Sequence, residues 1–270
     1  MGVRGLYSCL KAYAIPVYPR DEEPLHIGID TYALFYKFKE NLEDLFAFVK
    51  SIQCGKHTVL FVLDGVAPPE KQEELALRRA QRKEAAQHAR ALRNFLDESS
   101  ELTVDVRDAL VTKIKQYDDE AWVVYKELRE RFVEKATAQG YEVLCSEGEA
   151  DTDLLRLASQ GHIQVVLAND MDYFVGGVER LWIVHKDIYG IREFQRSAIS
   201  RALSLSSEAW KDIAILAGYE KTPHLRRVRT TMAISYLQTY GSLERLFEKR
   251  KDLLGEHTVE EFLTARAFFS

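Results

Sequence analysis

The 270-residue chain is 46% hydrophobic and 29% charged, which is enough apolar material for one large folded domain and argues against disorder. It contains no apolar run near the roughly 18 residues of a membrane span, and its first 20 residues lack the apolar core of a secretory signal, so we expect a soluble intracellular protein. The three cysteines, Cys9, Cys54 and Cys145, are far apart and odd in number, which excludes a disulfide framework and a CxxC-type zinc site.

The net charge of −5 is distributed unevenly along the chain. Residues 70–93 carry a net charge of +3 and residues 221–251 a net charge of +6, so the remainder sums to −14. An acidic body with two basic segments favours a protein that binds a polyanion at its edges. Solvated helix faces would give the same pattern, so charge alone leaves both interpretations open.

Apolar runs ending in an acidic residue predict buried parallel strands at 25–30, 59–64 and 165–170. Two further strands are predicted at 141–145 and 181–184, and helices at 42–49 and 151–158. This alternation predicts an open α/β sheet with helices on both faces. Ligands bind outside the carboxyl ends of such strands, where Asp30, Asp64 and Asp170 would converge.

The segment between Pro69 and Gly140 is charged, favours helix and has no strand pattern. A helical insertion of roughly 70 residues beside the acids indicates a functional lid or arch. A helical hairpin packed on the body is the alternative. After Leu205 the chain is helical again, with helices at 210–217 and 231–239 around the basic turn TPHLRRVR.

Six acidic residues lie in two short stretches: Glu147, Glu149, Asp151 and Asp153, then Asp170 and Asp172. On a helix beginning near Glu147, residues four apart would place like charges together, which is unfavourable without cations. Oxygen ligands without nearby His or Cys suit Mg²⁺ or Mn²⁺, and two such ions can promote phosphodiester hydrolysis. The alternative is a capping box between Ser146 and Glu149, which leaves the acids at the strand ends unexplained.

Several motifs resemble the flap endonuclease and exonuclease family of XPG-type, structure-specific 5′ nucleases. They are the MGVRGL opening, Ile29-Asp30 followed by Tyr36, the FVLDG block with Pro68-Pro69, and Asp170-Met171-Asp172. The resemblance covers nearly the whole chain. It implies a PIN-like, mostly parallel twisted α/β sheet flanked by helices, with a helical arch at about 70–135 and a C-terminal element like a helix–two-turn–helix.

The resemblance also implies the residues of the site. Two Mg²⁺ ions, for which Mn²⁺ can substitute, would be held by Asp30, Asp64, Glu147, Glu149, Asp151, Asp170, Asp172 and Glu220. Lys71 and Arg78 would act on the scissile phosphate as catalytic cations. Residues expected to bind nucleic acid are Gly2, Tyr36, Arg82, Arg226, Arg227 and Arg229, with Tyr36 stacking on a base.

The sequence departs from the family pattern in its last third. Glu220 stands where the family has its last metal-binding aspartate, and Arg227 and Arg229 replace the glycines of its DNA-gripping hairpin. Two arginines can bind a phosphate directly, whereas a decayed hairpin with solvated arginines is the alternative. The residues around Phe268-Phe269 do not match a sliding-clamp-binding motif.

The acids and the resemblance together predict a metal-dependent 5′ nuclease: a flap endonuclease, a 5′→3′ exonuclease or both. We expect it to hydrolyse DNA with a 5′ flap, nick or end by a two-metal mechanism and to act as a monomer. We expect a nuclease core over 1–205 and a helical duplex-binding element over 206–270. The protein should act in the nucleus, or at the site of DNA replication, if its source is eukaryotic or viral. Two alternatives stay open: a nuclease-fold scaffold without activity, and a junction-resolving or RNA-directed nuclease. The roughly 80 residues between Asp64 and Glu147 favour a full arch over the short connection of small PIN ribonucleases.

Overall fold

The computed structural model describes the chain except residues 1, 2, 4, 68, 100, 185–189, 220, 221, 224, 226, 227 and 270, and the side chains of residues 70 and 268. Four expected site residues therefore lie outside the described residues: Gly2, Glu220, Arg226 and Arg227. Within the described ranges, no helix is both long enough and apolar enough to cross a membrane.

One mixed sheet organises the described residues. Its strands are β1 (Ile15–Val17), β2 (His26–Asp30), β3 (Thr58–Leu63), β4 (Glu142–Cys145), β5 (Val165–Ala168), β6 (Arg180–Ile183) and β7 (Ile191–Gln195). Their order is β1-β7-β6-β5-β2-β3-β4. The five central and outer strands from β6 to β4 run parallel, whereas β7 is antiparallel to both β6 and β1.

The helices surround this sheet. They are α1 (Leu6–Leu10), α2 (Thr31–Phe38), α3 (Leu42–Gln53), α4 (Gln72–Glu98), α5 (Val104–Ala121), α6 (Lys126–Ala138), α7 (Ala150–Ser159), α8 (Asp172–Val175), α9 (Arg196–Ala202), α10 (Ala209–Ala217), α11 (Thr230–Tyr240), α12 (Leu243–Lys249) and α13 (Val259–Thr264). Short 3₁₀ turns lie at Lys11–Tyr13, Pro19–Asp21, Pro69–Lys71, Lys251–Leu253 and Ala265–Phe269.

Two apolar clusters fill the space on either side of the sheet. One joins the sheet to α7 and to the C-terminal helices, through residues such as Leu154, Trp210 and Phe262. The other packs α2, α3 and α6 on the opposite side, around Phe61 and Phe132. Because apolar strand residues are buried on both faces, their sequence reads as continuous apolar runs. The C-terminal helices thus share a core with the sheet.

The helical insertion is a hairpin of two long helices, α4 and α5, that pack against each other. Each buries few residues: Ala85 and Ala89 of α4, and Ile114 of α5. By contrast, α6 buries Leu128, Phe132 and Ala136 in the core. The arch expected over about 70–135 therefore ends near Ala121, because the apolar face of α6 draws that helix onto the sheet.

Candidate active site

A cleft with a volume of about 570 Å³ opens at the carboxyl ends of the central strands, under the base of the α4–α5 hairpin. Its acidic lining residues are Asp30, Asp64, Glu74, Glu149, Asp151, Asp170 and Asp172. Its basic lining residues are Lys71, Arg78, Arg79 and Arg82, all at the start of α4 or just before it. The structure thus brings six of the eight expected metal ligands and both expected catalytic cations to one cleft.

Asp30 is the last residue of β2 and the N-cap of α2. Its Oδ1 accepts a hydrogen bond from the Tyr32 backbone N–H at 3.0 Å, and its Oδ2 accepts one from the Tyr173 hydroxyl at 3.1 Å. Burial and the neighbouring Asp64 raise the pKa of Asp30 to about 7, although these two hydrogen bonds and one from the Ala33 backbone oppose the rise. A negative charge at Asp30 is therefore costly unless a cation compensates it.

Asp64 directly follows β3 and contacts the start of α7. Its Oδ1 accepts a hydrogen bond from the Ala150 N–H at 2.9 Å, and its backbone carbonyl accepts one from Arg129 at 2.6 Å. Burial is the largest cause of a raised pKa at Asp64, and Asp151 adds to it, whereas the Ala150 N–H, Arg129 and Lys71 act in the opposite direction. The cleft therefore concentrates negative charge that its own cations only partly offset.

The segment between β4 and α7 differs from the prediction. Gly65 N–H donates to the Gly148 carbonyl at 2.6 Å and Val66 N–H to the Glu147 carbonyl at 3.0 Å, which keeps this segment non-helical. Consequently α7 begins at Ala150, and Glu149 is its N-cap without a side-chain cap hydrogen bond. The expected helix start near Glu147 and the capping box are both wrong. Glu147 is exposed and is not among the residues that line the cleft.

Asp170 and Asp172 lie on the loop after β5 and at the start of α8. Asp170 Oδ1 accepts a hydrogen bond from the Asp172 N–H at 3.1 Å, and Asp172 Oδ1 accepts one from the Val3 N–H at 3.0 Å. Val3, near the start of the chain, therefore contacts one of the acids that line the cleft.

The cations in α4 and in the turn before it line the same cleft as the acids. Lys71 Nζ lies 2.7 Å from Glu149 Oε1, and Arg78 pairs with Glu74 one helical turn away. Arg82 donates to the Tyr36 hydroxyl at 3.2 Å. The Tyr36 side chain is 37% exposed and packs edge-on against Trp122, with ring centroids 5.4 Å apart. Tyr36 is therefore at the cleft, with part of its ring accessible.

Arg229, the remaining expected DNA-binding residue that the structure describes, is the exposed N-cap of α11. It is not among the residues lining the cleft. Sequence reasoning missed Tyr173 and Arg129, which hold Asp30 and the Asp64 carbonyl. No pattern in the sequence indicates a role for Arg129. Tyr173 directly follows the Asp170-Met171-Asp172 motif, and this position is a signal that it lies near the metal-binding acids.

In the described part of the chain, no three His, Cys, Asp or Glu side chains converge closely enough to hold a metal ion.

Comparison with known proteins gave no matching family model. The sequence is similar to flap endonuclease 1 of Dictyostelium discoideum, with 24% identity over 193 residues that cover 70% of this chain and 47% of that protein. It is 26% identical to flap endonuclease 1-B of Physcomitrium patens over 205 residues, which cover 74% of this chain and 54% of that protein. The chain thus spans about half the length of these relatives.

Solved structures share the fold. The catalytic core of Rad2 in complex with DNA substrate matches with a TM-score of 0.63 and 16% identity, over 97% of this chain and 76% of that chain. Flap endonuclease-1 from Methanococcus jannaschii matches with a TM-score of 0.64 and 14% identity, over 100% of this chain and 84% of that chain. Human GEN1 in complex with Holliday junction DNA matches with a TM-score of 0.61 and 16% identity, over 99% of this chain and 63% of that chain.

Proposed function

We propose, from the premise that this chain is a divergent relative of the flap endonucleases and XPG-type 5′ nucleases, that it hydrolyses DNA phosphodiesters near a 5′ end in a Mg²⁺-dependent reaction. One observation carries the proposal: six carboxylates at the edge of the sheet and four cations in or next to α4 line one cleft, together with Glu74 of α4. A phosphodiester needs both features, because its negative charge requires cations and its hydrolysis requires an activated water.

The donor set suits Mg²⁺ chemically. The carboxylates of the cleft are hard oxygen ligands, and the raised pKa of Asp30 reflects a carboxylate whose charge lacks sufficient compensation. We assign Asp30, Asp64, Glu149, Asp151, Asp170 and Asp172 as the residues that would hold Mg²⁺. Bound Mg²⁺ would supply charge stabilisation and an activated water to the hydrolysis. Glu147 has less support as a ligand because it is outside the cleft lining.

The cations of the hairpin would orient the substrate. Lys71, in the 3₁₀ turn before α4, and Arg78, in the second turn of α4, line the same cleft as the acids, so a phosphate bound there would lie within their reach. Lys71 would have to exchange its contact with Glu149 for the phosphate. Tyr36 would offer its exposed ring to an unpaired base, since aromatic stacking tolerates any base.

Comparison with structures solved with DNA supports a DNA substrate. The matching Rad2 and GEN1 structures contain a DNA substrate and a Holliday junction, respectively. Exposed Arg229 at the start of α11 lies in the basic segment 221–251 and would contact duplex phosphates outside the cleft.

The test is a cleavage panel on the purified chain. End-labelled 5′-flap, nicked, gapped, blunt, four-way-junction and RNA substrates are incubated with Mg²⁺, Mn²⁺ or a chelator, and product lengths are measured. We expect cleavage near the 5′ end of flap or nicked DNA with either metal ion and none with chelator. Cleavage that persists in chelator, or cleavage of RNA alone, would contradict the proposal.

The same panel separates the enzyme from a DNA-binding scaffold, which predicts binding without cleavage. Lys71→Ala and Arg78→Ala refine the result, because cations that act on the transition state should affect single-turnover cleavage far more than affinity. Arg90→Ala is the matched control: Arg90 is exposed on the same helix, about 18 Å beyond Arg78 at 1.5 Å per residue. Equal loss in all three variants would show a general effect of charge instead.

A further inference from the structure

We propose that Tyr173 is a positioning residue, which holds the Asp30 carboxylate in the orientation needed to bind a divalent cation. The inference rests on the proposed function, since it concerns the same metal ligand. Tyr173 belongs to none of the family motifs and to none of the predicted strands.

The contact joins two parts of the chain that are distant in sequence. Tyr173 lies in α8, directly after Asp172, and its hydroxyl donates to Asp30 Oδ2 at 3.1 Å across a separation of 143 residues. Tyr173 is only 3% exposed, so solvent has little access to this hydrogen bond. The tyrosine hydroxyl is the donor in this contact and the carboxylate oxygen is the acceptor.

The hydrogen bonds fix the whole Asp30 carboxylate. Oδ1 accepts from the Tyr32 N–H and Oδ2 accepts from the Tyr173 hydroxyl, so rotation about the last side-chain torsion would break both contacts. The Ala33 N–H also acts on this carboxylate, and its two oxygens have about four acceptor sites for these three donors. Because Asp30 lines the cleft, acceptor capacity remains for a cation there. Tyr173 therefore orients Asp30 without blocking it.

The tyrosine is itself held in place by its surroundings. Its backbone carbonyl accepts a hydrogen bond from the Val178 N–H at 3.0 Å, and its ring belongs to the apolar cluster that includes Phe174 and Ile183. A donor with a fixed position can impose a fixed position on its acceptor. Partners of metal ligands that act in this way typically contribute about 10-fold to 100-fold to metal affinity.

A purely structural hydrogen bond would behave differently. Its loss would lower stability, by about 1 kcal/mol for an ordinary intramolecular bond, and leave metal affinity unchanged. Tyr141 provides a matched example, because its partly buried hydroxyl donates to Gln53 Oε1 at 3.0 Å and belongs to no acidic cleft. Removing the hydroxyl from each tyrosine in turn separates the two roles.

The experiment measures Mn²⁺ binding to wild type, Tyr173→Phe and Tyr141→Phe from the loss of the paramagnetic resonance signal of free Mn²⁺. We expect Tyr173→Phe to bind Mn²⁺ about 10-fold more weakly, and Tyr141→Phe to bind as wild type does. The single-turnover cleavage rate of Tyr173→Phe should need correspondingly more Mn²⁺ and reach a plateau close to that of wild type. Should Tyr173→Phe fail to fold, Tyr173→Leu provides a second variant without the hydroxyl.

Three outcomes overturn the inference. If wild type binds Mn²⁺ and cleaves DNA while Tyr173→Phe binds Mn²⁺ within twofold of it, the positioning role is wrong and the proposed function stands. An equal loss of affinity in Tyr141→Phe assigns the effect to general destabilisation. If wild type itself binds no Mn²⁺ in this cleft, the proposed metal site fails and the role of Tyr173 fails with it.

Discussion

Replacing Asp30 with Asn should stabilise the protein in the absence of divalent cations. Asn is as good an N-cap as Asp, so the contact with the Tyr32 N–H can persist while the buried charge is removed. The pKa of Asp30 rises from 3.8 to about 7 in the folded protein, and each unit corresponds to about 1.4 kcal/mol. The full shift therefore limits the gain in unfolding free energy to roughly 4 kcal/mol. Because the Asn amide that replaces the carboxylate is also buried, we expect a gain of about 2–3 kcal/mol.

The sign of the pH dependence follows from the direction of the pKa shift. Below about pH 4, Asp30 is protonated in both the folded and the unfolded chain, so its ionisation costs no stability. Between pH 4 and about 7 the unfolded chain loses this proton first, and the folded wild type becomes progressively less stable. The advantage of Asp30→Asn should therefore grow through this window and be complete above about pH 7.

The assay is urea unfolding with chelator at several pH values, with Asp153→Asn as the control. The Arg156 guanidinium, 2.7 Å from Asp153, lowers the pKa of that carboxyl, so its loss should reduce stability by at most about 0.5 kcal/mol. Added Mg²⁺ should stabilise wild type more than Asp30→Asn, because the variant lacks a charged ligand. A variant that is no more stable than wild type at about pH 8.5, or a pH-independent difference, would refute the reasoning.

Three further changes test other contacts. Gly65→Ala should cost about 3 kcal/mol in unfolding free energy, because its Cβ would lie 1.9 Å from the Ser146 carbonyl oxygen and would push this loop away from Ser146 and Glu147. Gly148→Ala, whose Cβ would meet nothing within 4 Å, should stay within about 0.5 kcal/mol of wild type in the same urea titration. Arg266→Ala should cost about 2–3 kcal/mol in unfolding free energy, because it leaves Asp212, whose side chain is 4% exposed, without the guanidinium it contacts at 2.7 Å. Arg250→Ala, which breaks the exposed Arg250–Asp252 pair, should lower stability far less, and equal losses would contradict this explanation. When log affinity for duplex DNA is plotted against log salt concentration, Arg229→Ala should make the negative slope shallower by about 0.9. An unchanged slope would mean that this arginine contacts no phosphate.

The sequence by itself identified the family resemblance and the fold class, and both are confirmed. Its strongest signals were acids at the ends of apolar strands. Because parallel strands present their carboxyl ends at one edge, Asp30, Asp64 and Asp170 could be placed together before any contact was known. The short strands β1 and β7 were not predicted, since three residues with a central proline and a largely polar run become strands only by pairing with a neighbour.

Other expectations are untested and stay predictions. They include the division into 1–205 and 206–270, the monomeric state, the nuclear location, the lack of clamp binding, and the roles of Gly2, Glu220, Arg226 and Arg227, which lie outside the described residues.

Tertiary structure alone decided how the acids are held. The contact of Gly65 with the Gly148 carbonyl sets the start of α7 and leaves Glu147 exposed, although helix-start signals favoured an earlier beginning. The packing of α6 on the core ends the hairpin near Ala121. The hydrogen bond from Tyr173 to Asp30 spans 143 residues. Local patterns specify which face of a strand or helix is buried, whereas contacts between distant segments depend on how the elements pack, and periodicity carries no information about that.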